Sequence, residues 1–400
     1  MSTVLVVNSG SSSFKYQLVD PVTHERLASG LVERIGESGA RAVHEIPGGE
    51  WIVEGDIPDH TAGFVLMLAA FAEHGPDLAH AELAAVGHRV VQGGRRFVEP
   101  TIITDLVEIN IEDLAELAPL HNPGALQGIR AARAAFPDLQ HVAVFDTAFH
   151  QTMPEAAAVY AIDRAVAERW RIRRYGFHGT SHAFVSARAA EYLGIPLDRF
   201  DAITLHLGNG ASACAIRGGK SVDTSMGMTP LEGLVMGTRS GDLDPAIPLH
   251  LQRRAGMTTA EVDDLLNRRS GLLGLTGSAD VRDVLARAEA GDEAAALGFA
   301  IMTRRIKQTV GAYLAELGRA DAIVFTAGVG ENAAAVRAAA LQGLEAFGIE
   351  LDLDANAARE RGIRRISTPE SRIAVLVVPT DEELQSALQT AQVTGEHLPV

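Results

Sequence analysis

Cysteine is nearly absent from this sequence: its 400 residues contain one, Cys214. No intrachain disulfide is possible, which fits a reducing compartment. Cys214 stands in an apolar run and reads as a small buried residue rather than a nucleophile. Aromatic residues make up only 5% of the chain, so the core must be largely aliphatic. Basic residues are in deficit: 35 Lys and Arg against 51 Asp and Glu give a net charge of −16. That balance excludes the broad basic surface that non-specific nucleic-acid binding needs. It leaves room for a few arginines to dominate a local cleft. No run approaches bilayer-spanning length, so no membrane partner is expected. The opening MSTVLVV is too short for a signal peptide and has no basic leader, so the expected location is cytoplasmic. There is no His-Glu-x-x-His and no Cys/His cluster, so zinc is not expected.

What is present is ordinary globular material, 47% apolar and 22% charged. The length suggests two domains. Val4–Val7 and Phe14–Val19 read as strands joined by a small-residue turn. Helical patterns cover residues 62–73, 111–118 and 124–136, the last with Pro123 at its start. Ala84–Val91 and His141–Phe145 read as strands. Residues 180–193 read as a helix capped by Thr180 or Ser181. Ala202–Leu207 and Ala211–Ile216 read as two strands around Gly-Asn-Gly, and 281–317 is mostly Ala-rich helix. Strands at Ala322–Thr326 and Ile373–Val378 precede helices at Asn332–Leu344 and 381–393. VLVVNSGSSSFKYQLV and AITLHLGNGASACAI share one form: apolar strand, small turn, apolar strand. That echo suggests two related domains closing on one cleft, with a weakly marked boundary near 147–160.

Several motifs carry chemistry. Asn8 to Lys15 is a loop of small residues in which Ser11, Ser13 and Lys15 offer donors and charge to phosphate oxygens; a plain polar hairpin turn is the competing account. Arg217-Gly218-Gly219-Lys220-Ser221 resembles a P-loop tail, but Cys214 occupies the place of the first glycine, and the motif is rejected. Gly328–Asn332 follows a strand and opens a helix, so either a phosphate or ribose sits there or it is a tight turn capped by Asn332. Arg89 lies inside an apolar strand and Arg239 in Met-Gly-Thr-Arg-Ser-Gly-Asp. Each needs either a ligand or a structural salt bridge. His121, His178, His182 and His206 sit beside small residues, and His182 is one turn past His178, where it can orient it. Asp146 ends a strand. Thr380 and Glu383 have capping-box spacing, which leaves Glu382 either as a Mg²⁺ ligand or as a helix-dipole acid.

Together NSGSSSFKYQLVD, GHRVVQGG, LAPLHNP, FDTAFHQTMP, RRYGFHGTSH, HLGNGASACAI, DTSMGMTPLEGLVMGTRSGDLDP, FTAGVGEN and VPTDEEL closely resemble the acetate kinase family. That family belongs with sugar kinases, heat-shock chaperones and actin. The resemblance covers nearly the whole chain. It implies an α/β fold of two actin-like (ribonuclease H-like) domains, mixed sheets flanked by helices with a central cleft. The expected divisions are 1–150 plus 383–400, and 151–382. It implies Mg²⁺-dependent, reversible, in-line transfer of the ATP γ-phosphoryl to acetate, with Mn²⁺ as a substitute ion, ATP/ADP as co-substrate and a homodimer.

By the same resemblance Asn8 and Glu382 place the metal. Ser11, Ser13 and Lys15 form the first phosphate loop. His206, Leu207, Gly208, Asn209 and Gly210 form the second. Asp280, Val281, Arg282, Gly328, Val329, Gly330, Glu331 and Asn332 form the nucleoside end. Arg89, Arg239 and His178 meet the transferring group, and Asp146 is the active-site acid. Because acetate is already an anion, Asp146 is expected to orient Mg²⁺-bound water or an arginine rather than take a proton. Val91, Leu120, Phe177 and Pro230 are expected to hold the acetate methyl. The family often has Phe at the place of Val281 and His at the place of Gln92. Alternatives are a propionate or butyrate kinase, a pyrophosphate-dependent variant, and a non-catalytic actin- or chaperone-like module. A dehydrogenase is the weakest alternative, since its glycine turn should open an N-terminal strand–helix–strand unit.

Overall fold

The structure is a computed structural model that describes residues 2–78 and 80–395. Residue 1 and residues 396–400, which the expected N-terminal domain includes, lie outside the described residues, as does residue 79. The described parts of Met1–Phe149 and Asp381–Val400 form one compact unit, and His150–Thr380 forms another. No described helix is long and apolar enough to cross a membrane.

Among the described residues the first unit holds eight strands: β1 (Thr3–Ser9), β2 (Ser13–Val19), β3 (Arg26–Glu33), β4 (Ala40–Ile46), β5 (Gly49–Gly55), β6 (Leu83–Val90), β7 (Thr101–Ile102) and β8 (Gln140–Phe145). They make one sheet in the order β5-β4-β3-β2-β1-β6-β8-β7. β1, β6 and β8 run parallel, and the β1–β5 meander is antiparallel. Val4 and Val6 face Ala387 and Ala391 of the helix Glu382–Thr394. Leu5 and Val7 join the main core with Phe14, Tyr16, Phe64 and Met67. Alternate residues of a nearly all-apolar strand thus serve two faces.

The second unit holds β9 (Ala202–Leu207), β10 (Ala211–Arg217), β11 (Lys220–Thr224), β12 (Ala322–Thr326), β13 (Arg364–Arg365) and β14 (Ala374–Val377), in the order β11-β10-β9-β12-β14-β13. The repeat seen in sequence is a repeat of topology. β3-β2-β1-β6-β8 and β11-β10-β9-β12-β14 each place an antiparallel meander beside three parallel strands. The expected α/β class with two mixed sheets and flanking helices is the class observed.

Local details differ from the sequence reading. The helix expected at 111–118 starts at Asp105, capped by the Thr104 hydroxyl, and ends at Asp113, where the chain tightens into a 3-10 turn. Neither Thr180 nor Ser181 caps the helix Gly179–Leu193. His178 holds the cap position with left-handed backbone (φ 55°) and no side-chain cap bond. Asn332 ends a short helix, Ala327–Asn332, instead of starting one. The capping box at Thr380 and Glu383 is not formed, because the Asp381 carboxylate accepts from Leu384 N (2.8 Å) and makes Glu382 the first helical residue. The rejected P-loop tail is the turn between β10 and β11. β3, β4 and β5 carry too little hydrophobic alternation to stand out in the sequence.

The helix Asn122–Ala135 presses its glycines onto the β1–β2 loop. A methyl at Gly124 would lie 2.7 Å from Gly10 O and 2.7 Å from Ser11 N, both backbone atoms. Gly311, inside Glu293–Leu317, has nothing within 4 Å of that position. Helix propensity alone favours alanine at both sites by about 1 kcal/mol. Gly311→Ala should therefore raise the urea midpoint. Gly124→Ala should lower stability by about 1–3 kcal/mol through overpacking. Equal shifts of the same sign would contradict this packing.

Candidate active site

In the first unit the functional candidates gather at the carboxyl ends of the parallel strands, where open α/β sheets place ligands. β1–β2 pairing sets Asn8 opposite Lys15. Between them Gly10 N donates to Ser13 O (2.7 Å). Ser11 and Lys15 are exposed, and Asn8 and Ser13 are half-buried. His60 Nε2 lies 2.9 Å from Gly10 O and helps fix the loop.

Arg89 projects from β6 and Asp146 directly follows β8. Arg89 Nε donates to Asp146 Oδ1 (3.1 Å) and Nη2 donates to Oδ2 (2.7 Å), a bidentate fork. Glu382 Oε2 lies 3.5 Å from the same Nη2. Burial works against the Arg89 charge, but the Asp146 and Glu382 carboxylates outweigh it and hold the guanidinium pKa above its usual range. Burial pushes the Glu382 carboxyl up to about 7; Arg89 opposes the rise and Asp146 adds to it. Asp146 is thus paired with Arg89. Val91 follows β6, half-buried, and Leu120 is exposed in the loop before Asn122. Gln92 serves the turn: its Oε1 accepts from Gly94 N (2.9 Å), and its Nε2 is buried without a partner.

In the second unit the β9–β10 turn borders two features. On one side lies a cavity of about 670 Å³, lined by Leu207, Gly208, Asn209, Asp280, Val281, Arg282, Gly328, Val329 and Asn332 among others. Its remaining wall is aliphatic, from residues such as Leu272, Leu285 and Ile306. Asp280 and Arg282 pair with each other at an exposed rim. Gly330 and Glu331, also expected at this end, stand behind the wall. Both their carbonyls accept from the buried Arg337 (2.9 Å each), whose Nε donates to Asn356 Oδ1 (2.7 Å). The sequence reading passed over Arg337, although a lone cation inside an alanine-rich helix is a usable signal.

On the other side of the turn stand His178 and Arg239. A methyl at Gly210 would lie 3.5 Å from Arg239 Nη1 and 3.6 Å from His178 Nε2, so both side chains reach the β9–β10 turn. Arg239 Nη1 donates to Pro230 O (2.9 Å) and touches Met236 Sδ. Among the described residues no carboxylate pairs with Arg239, and burial pulls its pKa down. The salt bridge considered from sequence is not there: nearby Asp242 pairs with Arg305. His178 Nδ1 lies 2.9 Å from Ser212 Oγ, and its ring stacks on His206 at 4.1 Å between centroids. His206 Nδ1 lies 2.8 Å from Ser181 Oγ. His182 Nε2 also reaches Ser212 Oγ (2.8 Å), so a hydroxyl connects the two rings that sequence spacing had paired. Phe177 is buried, its carbonyl 3.0 Å from His150 Nε2, and Pro230 is half-buried. Cys214 is buried and its thiol is pushed up by desolvation, which suits an inert residue.

Comparison with known proteins agrees with these features. The Acetokinase family model matches residues 3–388. The acetate kinase of Leifsonia xyli subsp. xyli is 62% identical over 392 residues, covering 98% of this chain and 99% of that protein. The acetate kinase of Clavibacter michiganensis subsp. michiganensis is 61% identical, covering 99% of this chain and 100% of that protein. A solved acetate kinase from Porphyromonas gingivalis superposes with TM-score 0.93 at 44% identity, over 98% of this chain and 100% of that one. A propionate kinase from Francisella tularensis superposes with TM-score 0.92 at 40% identity, over the same shares. The motifs, the doubled sheet and these matches agree: the chain belongs to the acetokinase family.

Proposed function

We propose that this protein is an acetate kinase, which transfers the γ-phosphoryl of ATP to acetate, reversibly, to give acetyl phosphate and ADP. The observation that carries the reading is Arg239: a half-buried guanidinium with which no carboxylate among the described residues pairs, beside His178 and the Gly208–Gly210 turn that also lines the large cavity. An unpaired buried cation is costly unless an anion arrives. A transferring phosphoryl spreads negative charge over three oxygens, and fixed cations and donors that meet it lower the barrier. In this reading the nucleoside occupies the aliphatic cavity and its phosphates lie along residues 206–210. Arg239 and His178 contact the transferring group. Arg89 binds acetate and phosphoryl oxygens while Asp146 holds its plane. Ser11, Ser13 and Lys15 supply further phosphate contacts, and Val91, Leu120, Phe177 and Pro230 enclose the methyl group. Acetate attacks as the anion, so no base is required.

The donor set also fits Mg²⁺. Asn8 and Glu382 offer hard oxygen ligands, and a carboxylate that resists ionisation when empty gains from a dication. Among the described residues no group of three His, Cys, Asp or Glu forms a cage. Mg²⁺ in kinases usually completes its shell with water and phosphate oxygens, so a sparse protein set is the expected one. When bound, the ion would neutralise phosphate charge. The sparse cysteine supports a cytoplasmic setting, and the family resemblance supports a homodimer.

The direct test is a substrate panel of ATP, GTP and pyrophosphate against acetate, propionate and butyrate, read by hydroxamate trapping. ATP with acetate should give the highest kcat/KM. One extra methylene should cost roughly ten- to two-hundredfold at most, so propionate is the informative competitor. Arg239→Met should lower kcat by about a hundredfold or more without lowering the urea midpoint, because no ion pair is lost. Arg89→Met should lower both, since it removes the guanidinium partner of the buried Asp146, at a cost of about 3–5 kcal/mol. Near-normal turnover of Arg239→Met would refute the reading.

Glu382 gives a pH signature. Its folded pKa lies above the unfolded carboxyl value, so its favourable contribution is complete at low pH and is lost as pH rises through about 7. Arg89, Asp146, Asp381 and Glu383 are the charged groups that act on it. Without Mg²⁺, Glu382→Gln should gain stability relative to the unaltered protein between pH 5 and pH 8, while its Mg²⁺ affinity falls. A stability difference that stays flat over that interval would contradict the assignment.

A further inference from the structure

Ser212 lies on β10, fully buried, between two histidines. Its oxygen is 2.9 Å from His178 Nδ1 and 2.8 Å from His182 Nε2. His182 in turn places Nδ1 2.6 Å from the hydroxyl of Thr204 on β9. We propose that Thr204, His182 and Ser212 form a positioning relay that fixes the ring proton of His178 on Nε2, toward Gly210 and Arg239. The inference rests on the reading of His178 as a donor to the transferring phosphoryl group, and deepens it.

Proton counting gives the direction. A serine hydroxyl has one proton, so Ser212 donates to one ring and accepts from the other. His182 is wholly buried, and burial first, then the neighbouring His150 and His206, hold its pKa well below the usual value. It is therefore neutral, with one N–H and one lone pair.

Two polarities satisfy His182. In the first, Thr204 donates to His182 Nδ1, His182 Nε2–H donates to Ser212, and Ser212 donates to His178 Nδ1. The His178 proton is then on Nε2. In the second every bond reverses: His182 Nδ1–H donates to Thr204 and the His178 proton moves to Nδ1.

Thr204 decides between them. It is fully buried, and among the described residues His182 is the partner of its hydroxyl. In the second polarity that hydroxyl only accepts, and its own proton is left unmatched in the core. An unmatched buried donor disfavours a state by a factor on the order of ten to a hundred. The first polarity wastes no proton. It also suits the chemistry, since His178 Nε2 is the ring nitrogen on the side of Gly210 and Arg239. A lone pair there would repel phosphoryl oxygens, whereas an N–H stabilises their charge.

Two measurements on the full chain test this. Nitrogen NMR of ¹⁵N-histidine-labelled protein at pH 8 should show His178 with a bare, hydrogen-bonded Nδ1 and a protonated Nε2. A ring protonated on Nδ1 alone overturns the proposal. In kinetics, Thr204→Val keeps the shape of the side chain, is remote from the substrates and removes only the hydroxyl. It should lower kcat about tenfold, with KM for ATP and for acetate changed less than about twofold, while Thr204→Ser retains activity. Ser212→Ala should cost more, about a hundredfold in kcat. Unchanged kcat and an unchanged His178 spectrum in Thr204→Val would overturn the relay. If His178→Ala kept its kcat while the native ring still carried its proton on Nε2, the relay would stand and the catalytic role of His178 would fall.

Discussion

A guanidinium that leaves water must find negative charge, and this protein answers that demand in two ways. Arg89 has its anions built in, Asp146 in a bidentate fork and Glu382 beside it. Among the described residues Arg239 meets a backbone carbonyl and a thioether and no carboxylate, which supports the proposal that its balancing charge comes from a ligand. One arginine is a fixed part of the fold, and the other is the one we propose as an acceptor site for an anion. The doubled topology gives each a scaffold, because each sheet exposes the carboxyl ends of three parallel strands beside a hairpin turn made of small residues.

The groups around Arg239 keep it in that condition. Gly210 brings the turn to where a methyl would meet Arg239 Nη1 at 3.5 Å, and Gly237 lets the chain pass so close to Asn209 Oδ1 that a methyl there would collide. Arg337 takes the carbonyls that end the short helix Ala327–Asn332 and so anchors one wall of the neighbouring cavity. It does so as a buried cation with no carboxylate partner among the described residues, its pKa pulled down to about 10 by burial and then by Arg364. Arg337 is buried and held by backbone carbonyls, whereas Arg239 is half-buried and is the arginine we propose to meet an anion.

Much of this was legible in the chain because it was written in unusual residues. An arginine in an apolar strand marked Arg89, glycines marked the 208–210 turn, and paired strand–turn–strand segments marked the doubled sheet. What escaped notice had no local oddity. β3 to β5 form a half-exposed meander in which polar and small residues dilute the alternation of an amphipathic strand. Asp381 took the cap from Thr380 because one aspartate among four adjacent polar residues cannot be singled out by spacing. Thr180 and Ser181 read as caps, yet Ser181 is committed to His206 and Thr380. Ser212 and Thr204 sit in buried strands where a lone hydroxyl reads as a tolerated small residue. Their importance lies in partners 30 and 22 residues distant, which only folding brings near.

The central claim is that the charge of Arg239 awaits an anion, and ligand-linked stability measures that directly. Inorganic phosphate, titrated into the metal-free protein, should raise the unfolding temperature as the logarithm of its concentration once binding saturates. In Arg239→Met the same titration should require at least about tenfold more phosphate for an equal shift. Identical titrations for the two proteins would mean that the anion binds elsewhere, and the account of Arg239 would be wrong.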